Sequence, residues 1–440
     1  MIQQKGAKAN NADSQELQTN YPMAIWICLA TLGSIYAMSE APSLHDYWKE
    51  FFAKDYAEQF EFYFNLAQSL SLFVLIFLSF FIGLLCDLYS NSIVMIVQAS
   101  VIVFGQFMIY ASYYFNIYWF FFIGRMLVFL SMQTIQTSSK SFLNQYVAEK
   151  EKGFLFGVHS SSVLIAKCVV LILQPALANK YGLEYALLFT FALTCFSLFA
   201  SFMTYHIEEK EKQQQQQFLS NTESQTHSNQ NLAQQQPESS EESQWEQIKS
   251  FKVEFWLYGF IIASSLLVTN VIDALLPAYL SSYWQINTLD STRISSICTF
   301  YGFFNWLMGM GYDWLQKGHE WLLFSSFASL FGQFILTQYD PILGTVIIGL
   351  GYNMRVVAMF PLLGKFVKKQ STGKAYGLAR SFKDLMSMIA FLIIGIVVYK
   401  TNSYQYSFQG VGFFIIFYTL INILLYIKVK RQSYNQQLKQ

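Results

Sequence analysis

Arg125, Lys167, Asp273, Arg355, Lys383 and Asp384 all stand in stretches of otherwise hydrophobic sequence. An uncompensated charge at the middle of a bilayer costs at least about 2.5–3.5 kcal/mol on insertion scales, so such groups face a partner or a watered cavity. Cations in a cavity can hold a carboxylate, and acids can hold an amine. Arg125 and Lys167 are the candidates for the anionic end of a ligand. Asp273 and Asp384 are the candidates for its ammonium end, and Lys383 and Arg355 are further candidate contacts. The alternative for each is a structural pair, such as Lys383 with a neighbouring acid or Arg125 with backbone carbonyls. Arg380 opens the same stretch as Lys383 and Asp384, and His159 reads as a polar packing residue.

No nucleophile–base constellation, phosphate-binding glycine loop or metal-spaced His/Cys cluster stands in a polar segment. The expectation is therefore a protein that is not an enzyme, with no catalytic residue, cofactor or metal. The cysteines, Cys28, Cys86, Cys168, Cys195 and Cys298, fall within or beside apolar blocks and read as small buried hydrophobes. No basic face alternates with aromatics, so nucleic acid is not an expected partner.

The elements that must position the charges are long apolar blocks. Of 440 residues, 54% are hydrophobic and only 12% charged, against about 25% charged in a soluble domain. The blocks run roughly 18–24 residues, the length that crosses a hydrocarbon core of about 30 Å. Twelve spans are expected, at 22–39, 62–85, 92–112, 117–138, 153–174, 184–205, 253–276, 291–312, 320–338, 341–363, 374–399 and 409–428. Continuous blocks without period-two alternation specify helices rather than barrel strands. Arg125 and Lys167 each sit about eight residues from the same end of their spans, so at about 1.5 Å per residue they share a depth.

Lysine and arginine crowd the loops on one face, for example Lys140, Lys150, Lys152, Lys210, Lys249, Lys365 and Lys428. The other face holds only Lys49, Lys54, Lys180, Arg293 and Lys400. That bias places both termini in the cytosol. Met1–Asn20 is polar and has no apolar core of a signal peptide, so the first span is expected to serve as its own insertion signal.

The expected organisation is a cytosolic polar N-terminus (1–21), a six-helix bundle (22–205), a disordered Gln-rich cytosolic linker (206–252), a second six-helix bundle (253–428) and a basic cytosolic tail (429–440). The linker holds the run Gln213–Gln217 and too little apolar surface to fold. Glu40–Glu61, aromatic and charged, suits an interfacial helix. No non-cytosolic loop carries an Asn-x-Ser/Thr sequon, so the chain itself is not expected to be N-glycosylated.

The two bundles echo each other. Gly83-Leu84-Leu85-Cys86-Asp87 after the second span matches Gly309-Met310-Gly311-Tyr312-Asp313 after the eighth. Lys152-Gly153-Phe154-Leu155-Phe156-Gly157 matches Gly373-Lys374-Ala375-Tyr376-Gly377, and Arg125 matches Arg355, all at a nearly constant offset. An ordered set of matches argues for a duplicated six-helix unit, two copies of which can rock about a midplane site.

These motifs resemble the major facilitator superfamily. Its hallmark is Gly-x-x-x-Asp followed by basic residues after the second span, echoed after the eighth. Gly83 and Asp87 keep the pattern, but Leu88-Tyr89-Ser90-Asn91-Ser92 lacks the basic residues; Gly309 and Asp313 keep it with one Lys317. The resemblance implies an all-α membrane protein of twelve transmembrane helices in two pseudo-symmetric six-helix bundles. It implies that Gly83 and Gly309 allow close helix approach, and that Asp87 and Asp313 cap or pair across a cytosolic gate. Gly349-Leu350-Gly351-Tyr352, Phe360-Pro361, Gly124-Arg125, Phe156-Gly157, and Tyr36 with Glu40-Ala41-Pro42, look like the branch that contains lysosomal dipeptide transporters. That implies facilitated transport of a dipeptide-like small molecule across a lysosomal or other endomembrane, beside a glycosylated single-span accessory subunit. Ser131-Met132-Gln133 stands where the branch carries Gly-Gly-Glu, and Leu164 where it carries an arginine. The expected first span, Pro22–Met38, has no ionisable residue, which points to uniport. Transport of another organic anion or a sugar, and a non-transporting scaffold or sensor, are the alternatives.

Overall fold

In the computed structural model, residues 19–52, 60–226, 251–367, 371–401 and 403–437 are described. They form helices almost throughout. The N-terminal half holds α1 (Tyr21–Ser43), a short α2 (His45–Phe51), α3 (Phe60–Leu88), α4 (Asn91–Phe115), α5 (Tyr118–Tyr146), α6 (Lys152–Tyr181) and α7 (Leu183–Thr226). The C-terminal half holds α8 (Val253–Tyr283), α9 (Thr288–Phe300), α10 (Asn305–Leu315), α11 (Gly318–Gln338), α12 (Pro341–Gly364), α13 (Thr372–Thr401) and α14 (Gln405–Gln437). Ten of these helical stretches are long and apolar enough to cross a membrane. The twelve crossings are α1 and α3–α7 in the first half, and α8, the α9–α10 pair and α11–α14 in the second.

Local chemistry sets the ends. Asn20 caps α1 through its side chain on the N–H of Met23 (3.0 Å). Asp340 caps α12 on Leu343 (2.7 Å), with Pro341 at the first helical position. The eighth crossing is interrupted: α9 and α10 are joined by a 3-10 turn, Tyr301–Phe304. The Ser161 hydroxyl of α6 donates to the carbonyl of Gly302 there (2.9 Å), which also accepts from the backbone N–H of Asn305. Outward faces carry exposed Phe73, Phe77, Phe81, Phe331 and Phe413, the side chains that lipid would cover.

Several helices outrun their expected spans. The sixth crossing continues to Thr226, so the expectation of a disordered linker beginning at residue 206 is corrected; 227–250 lie outside the described residues. Glu and Lys are good helix formers, and Glu208 is anchored. Its carboxylate accepts from the hydroxyls of Ser90 and Ser92, from Tyr146 Oη (3.2 Å) and from Lys212 Nζ (3.1 Å). The expected basic tail likewise continues α14 as far as Gln437. The fourth crossing extends to Tyr146 rather than 138 and so lifts Lys140 out of the loop assigned to it.

The aromatic segment after α1 packs inward: Trp48 and Phe52 are fully buried, Trp48 stacks on Phe52 (5.7 Å between centroids), and it packs against Phe121 (4.5 Å). Residues 53–59 lie outside the described residues.

The halves meet through two equivalent helix pairs, α3 along α13 and α6 along α10. At the end of the molecule that holds Asn20, the α3–α4 turn and the C-terminal end of α7, one hydrophobic core runs across both halves and joins Phe142 and Leu155 to Tyr312 and Phe360. At the opposite end the core splits into separate clusters, one within each half.

Candidate functional site: a cationic cavity above an interhalf latch

The shared core is locked by two carboxylates. Asp87, at the end of α3, accepts from the backbone N–H groups of Gly373 (2.7 Å) and Lys374 (2.9 Å), at the start of α13. Asp313, near the end of α10, accepts from Gly153 (2.8 Å) and Phe154 (2.7 Å), at the start of α6. The first N–H groups of a helix lack intrahelical acceptors and carry the positive end of its dipole, so a carboxylate satisfies both needs. Asp87 and Lys374 are each only 2% exposed, and Lys374 Nζ lies 4.0 Å from the carboxylate. The glycines allow this approach. A Cβ on Gly83 would overlap the carbonyl of Gly373, one on Gly309 the carbonyl of Gly153, and one on Gly157 the carbonyl of Asn305. Because each aspartate is met by backbone N–H groups, the latch does not need the basic residues missing after Asp87.

Between the halves lies a cavity of about 420 Å³. Both halves supply its wall: Lys140, His159 and Lys167 from α5 and α6, and Arg380 and Lys383 from α13. Lys140 is within Coulombic range of Arg380 and Lys383, and Lys383 within that of Lys167. No Asp or Glu lines the cavity among the described residues. Lys140 Nζ rests 3.9 Å from the ring centroid of Phe360, a cation–π contact made across the halves. Arg380 donates to Gln136 Oε1 (3.4 Å). Gln133 and Leu164, the positions that differ from the resembled branch, are both on the wall.

The candidates named from sequence separate. Lys167 and Lys383 line the cavity. Asp384 does not: it is fully buried, accepting from Lys383 Nζ (2.7 Å) and Ser79 Oγ (3.3 Å), with Arg380 Nε at 3.8 Å. The expectation that it meets a ligand amine is corrected, because its oxygens are taken by neighbouring cations. Arg355 is also corrected. At 1% exposure it lies away from the cavity wall, bonded to Ser329 Oγ (2.6 Å) and Tyr418 Oη inside the second half. Arg125 faces a second pocket of about 240 Å³, whose wall also holds Lys167, Gln68, Met38 and Phe129. These last four line the main cavity too, so the pockets adjoin. Arg125 donates to the carbonyl of Phe64 (2.8 Å) and stacks on its ring. Asp273 is in α8, and its side chain lies outside the described residues.

Sequence reasoning missed Lys140, assigned to a loop, and undervalued Arg380. Extending the fourth helix on its Ser and Gln residues would have found the first; i, i+3 spacing with Lys383 marks the second. His159, expected to serve packing, is buried and pairs with Ser139 Oγ (3.1 Å), yet one side meets the cavity. The first crossing, expected to lack an ionisable group, extends to Ser43 and includes buried Glu40, which accepts from Gln106 Nε2 (2.5 Å).

Two duplicated bundles, joined by paired latches beneath a charged central cavity, are the architecture of a membrane transporter. The chain belongs to the Major Facilitator Superfamily, whose sequence model matches residues 23–391. Among curated proteins it is similar to the human lysosomal dipeptide transporter MFSD1, 22% identical over 188 residues. That alignment covers 42% of this chain and 40% of the relative, less than half of its length. Among solved structures, the E. coli fucose:proton symporter FucP matches with a TM-score of 0.67 at 10% identity, over 92% of this chain and 99% of that one. The human organic anion transporter MFSD10 matches with a TM-score of 0.64 at 12% identity, over 91% and 99%. These structures establish the shared fold.

Proposed function

We propose that this transporter carries a small carboxylate-bearing solute, a dipeptide-like molecule first, by alternating access and as a uniporter. The observation that carries the reading is the ring of cations contributed by both halves to one central cavity. A buried cation without a counter-charge is costly, and a carboxylate cargo removes that cost while joining the two halves. The similarity to a lysosomal dipeptide transporter favours dipeptides and a lysosomal or other endomembrane site. The lysine bias of the loops supports cytosolic termini. On that orientation Asp87, Gly83, Asp313 and Gly309 close a cytosolic gate, and the cavity loads from the lumen. Uniport is supported by the position of Glu40, which does not line the cavity. A glycosylated single-span accessory subunit belongs to the same reading, as does the division of the chain into two bundles with a connecting segment.

A second reading, another organic anion without an amine, is favoured by the absence of a described carboxylate on the cavity wall. The test is uptake of labelled alanyl-alanine into proteoliposomes, with Arg125→Ala and Lys167→Ala alongside. Saturable uptake that falls in both variants, with no accompanying proton movement, is the expected outcome. Absence of uptake by folded wild-type protein would remove dipeptides.

A further inference from the structure

We infer that the preferred cargo carries two carboxylates and a net negative charge: a dicarboxylate or a dipeptide with an acidic side chain, rather than a neutral zwitterion. This deepens the proposed function and rests on it. Lys140, Lys167, Arg380 and Lys383 bring four cations to the cavity wall. Asp384 is the one acid described in contact with them; it sits behind the wall and is taken up by Lys383 and Arg380. Among the described residues the balance in and around the cavity is positive. A neutral zwitterion adds no net charge, and its single carboxylate leaves most of the surplus unbalanced. Like charges brought together in a poorly screened site repel strongly. A cargo with a second carboxylate balances more of the surplus, and each carboxylate has a place.

The cations are split between the halves. Lys140 and Lys167 belong to the first half, and Arg380 and Lys383 to the second. One anionic group can be held from each side, so closure around the cargo joins the bundles through it. In the present state Lys140 is parked on the Phe360 ring of the opposite half, a weaker partner that an arriving carboxylate can replace. A cavity of about 420 Å³ suits a molecule of dipeptide size. Lys140 is the residue that sets the preference, because it adds positive charge without a described acid beside it.

The experiment is binding by the full-length protein in nanodiscs to alanyl-alanine, alanyl-glutamate and succinate, followed by counterflow with the same probes. The expected result is alanyl-glutamate tighter than alanyl-alanine by at least about tenfold, with measurable binding of succinate. In Lys140→Gln the ratio between acidic and neutral dipeptide falls severalfold, and Lys140→Arg restores it. Equal affinity for the two dipeptides would overturn the inference while leaving carboxylate transport standing. Loss of both affinities in equal proportion in a folded Lys140→Gln protein would also overturn it. If none of the probes binds to wild-type protein, the carboxylate reading itself fails, and this inference with it.

Discussion

At the latch, the two halves do the same thing with the same residues. Asp87 meets the start of α13 and Asp313 the start of α6, each through a pair of backbone N–H groups, and each beside a glycine that lets the helices touch. At the cavity the halves differ. Arg125 and Arg355 occupy matching places in the repeat, yet Arg125 faces a pocket while Arg355 is sealed among Ser329 and Tyr418. A backbone-to-carboxylate contact demands only an acid, a helix start and room to approach, so a duplicated unit keeps it with little else fixed. A cavity wall is made of side chains, and each half can change its own without disturbing the packing of the other.

The largest expected effect breaks the latch sterically. Gly309→Leu would drive a side chain into the backbone of α6, where even a Cβ overlaps the carbonyl of Gly153. Overpacking a tight contact costs about 1–3 kcal/mol or more, and here the cheapest relief is separation of the halves. Spin-label distances between the Asp313 end of α10 and the start of α6 should lengthen, and transport should be lost. Gly410→Leu, at a position with nothing within 4 Å, should leave both unchanged. Unchanged distances in Gly309→Leu would show that the glycine pair does not control the approach.

The two aspartates come next, and they separate the copies. Each accepts two charge-assisted hydrogen bonds, worth roughly 1.5–3 kcal/mol apiece when buried. Asp87→Ala should open the latch more than Asp313→Ala, because the buried Lys374 ammonium lies beside Asp87, 4.0 Å away. The double variant should exceed either. Single-molecule distance distributions across the latch would measure the populations, and an effect of Asp313→Ala as large as that of Asp87→Ala would contradict the ranking.

How much of this was legible follows from the same contrast. The latch glycines and aspartates could be read because the repeat prints them twice at fixed spacing. The twelve crossings could be read because apolar length is a property of the chain alone. What could not be read depended on where polar residues go. Asp384 looks from sequence like a free acid, yet its place next to Lys383 and one turn from Arg380 fills it. Lys140 looked like a loop residue because an apolar count stops at 138, whereas the helix continues through Ser138, Ser139 and Ser141 on its own backbone bonds. Glu208 looked like part of a solvated linker until Ser90, Ser92 and Tyr146 converged on it. The misses at Asp384 and Lys140 turn on local placement within one helix, and that at Glu208 on tertiary hydrogen bonds that composition does not encode.

The matched arginines give the next test. Arg355→Gln should lower thermal stability, because it strips partners from buried Tyr418 and Ser329 inside the second half, at about 1–3 kcal/mol. Its effect on the KM of the surviving folded protein should be small. Arg125→Gln should do the opposite, with a modest change in unfolding temperature and a rise in KM, since Arg125 faces a pocket that adjoins the main cavity. A rise in KM of the same size in both variants would mean that the two halves had not diverged in this way.

The smallest effect concerns Glu208, which adds a tie within the first half. Its carboxylate draws Ser90 and Ser92, at the start of α4, against the extension of α7. This is again an acid at a helix start, but here it binds side-chain hydroxyls rather than backbone N–H groups, and it joins elements of one half instead of two. Neutral-donor bonds of this kind contribute about 0.5–1.5 kcal/mol net, somewhat more to a charged acceptor. Glu208→Ala should therefore leave transport and the latch distances nearly intact while fraying the extension. Hydrogen exchange over residues 208–226 should quicken, with exchange in the membrane-spanning part of α7 unchanged. If the latch distances lengthen as well, the extension is part of the closure between the halves, and the division between contacts within a half and contacts across them would have to be redrawn.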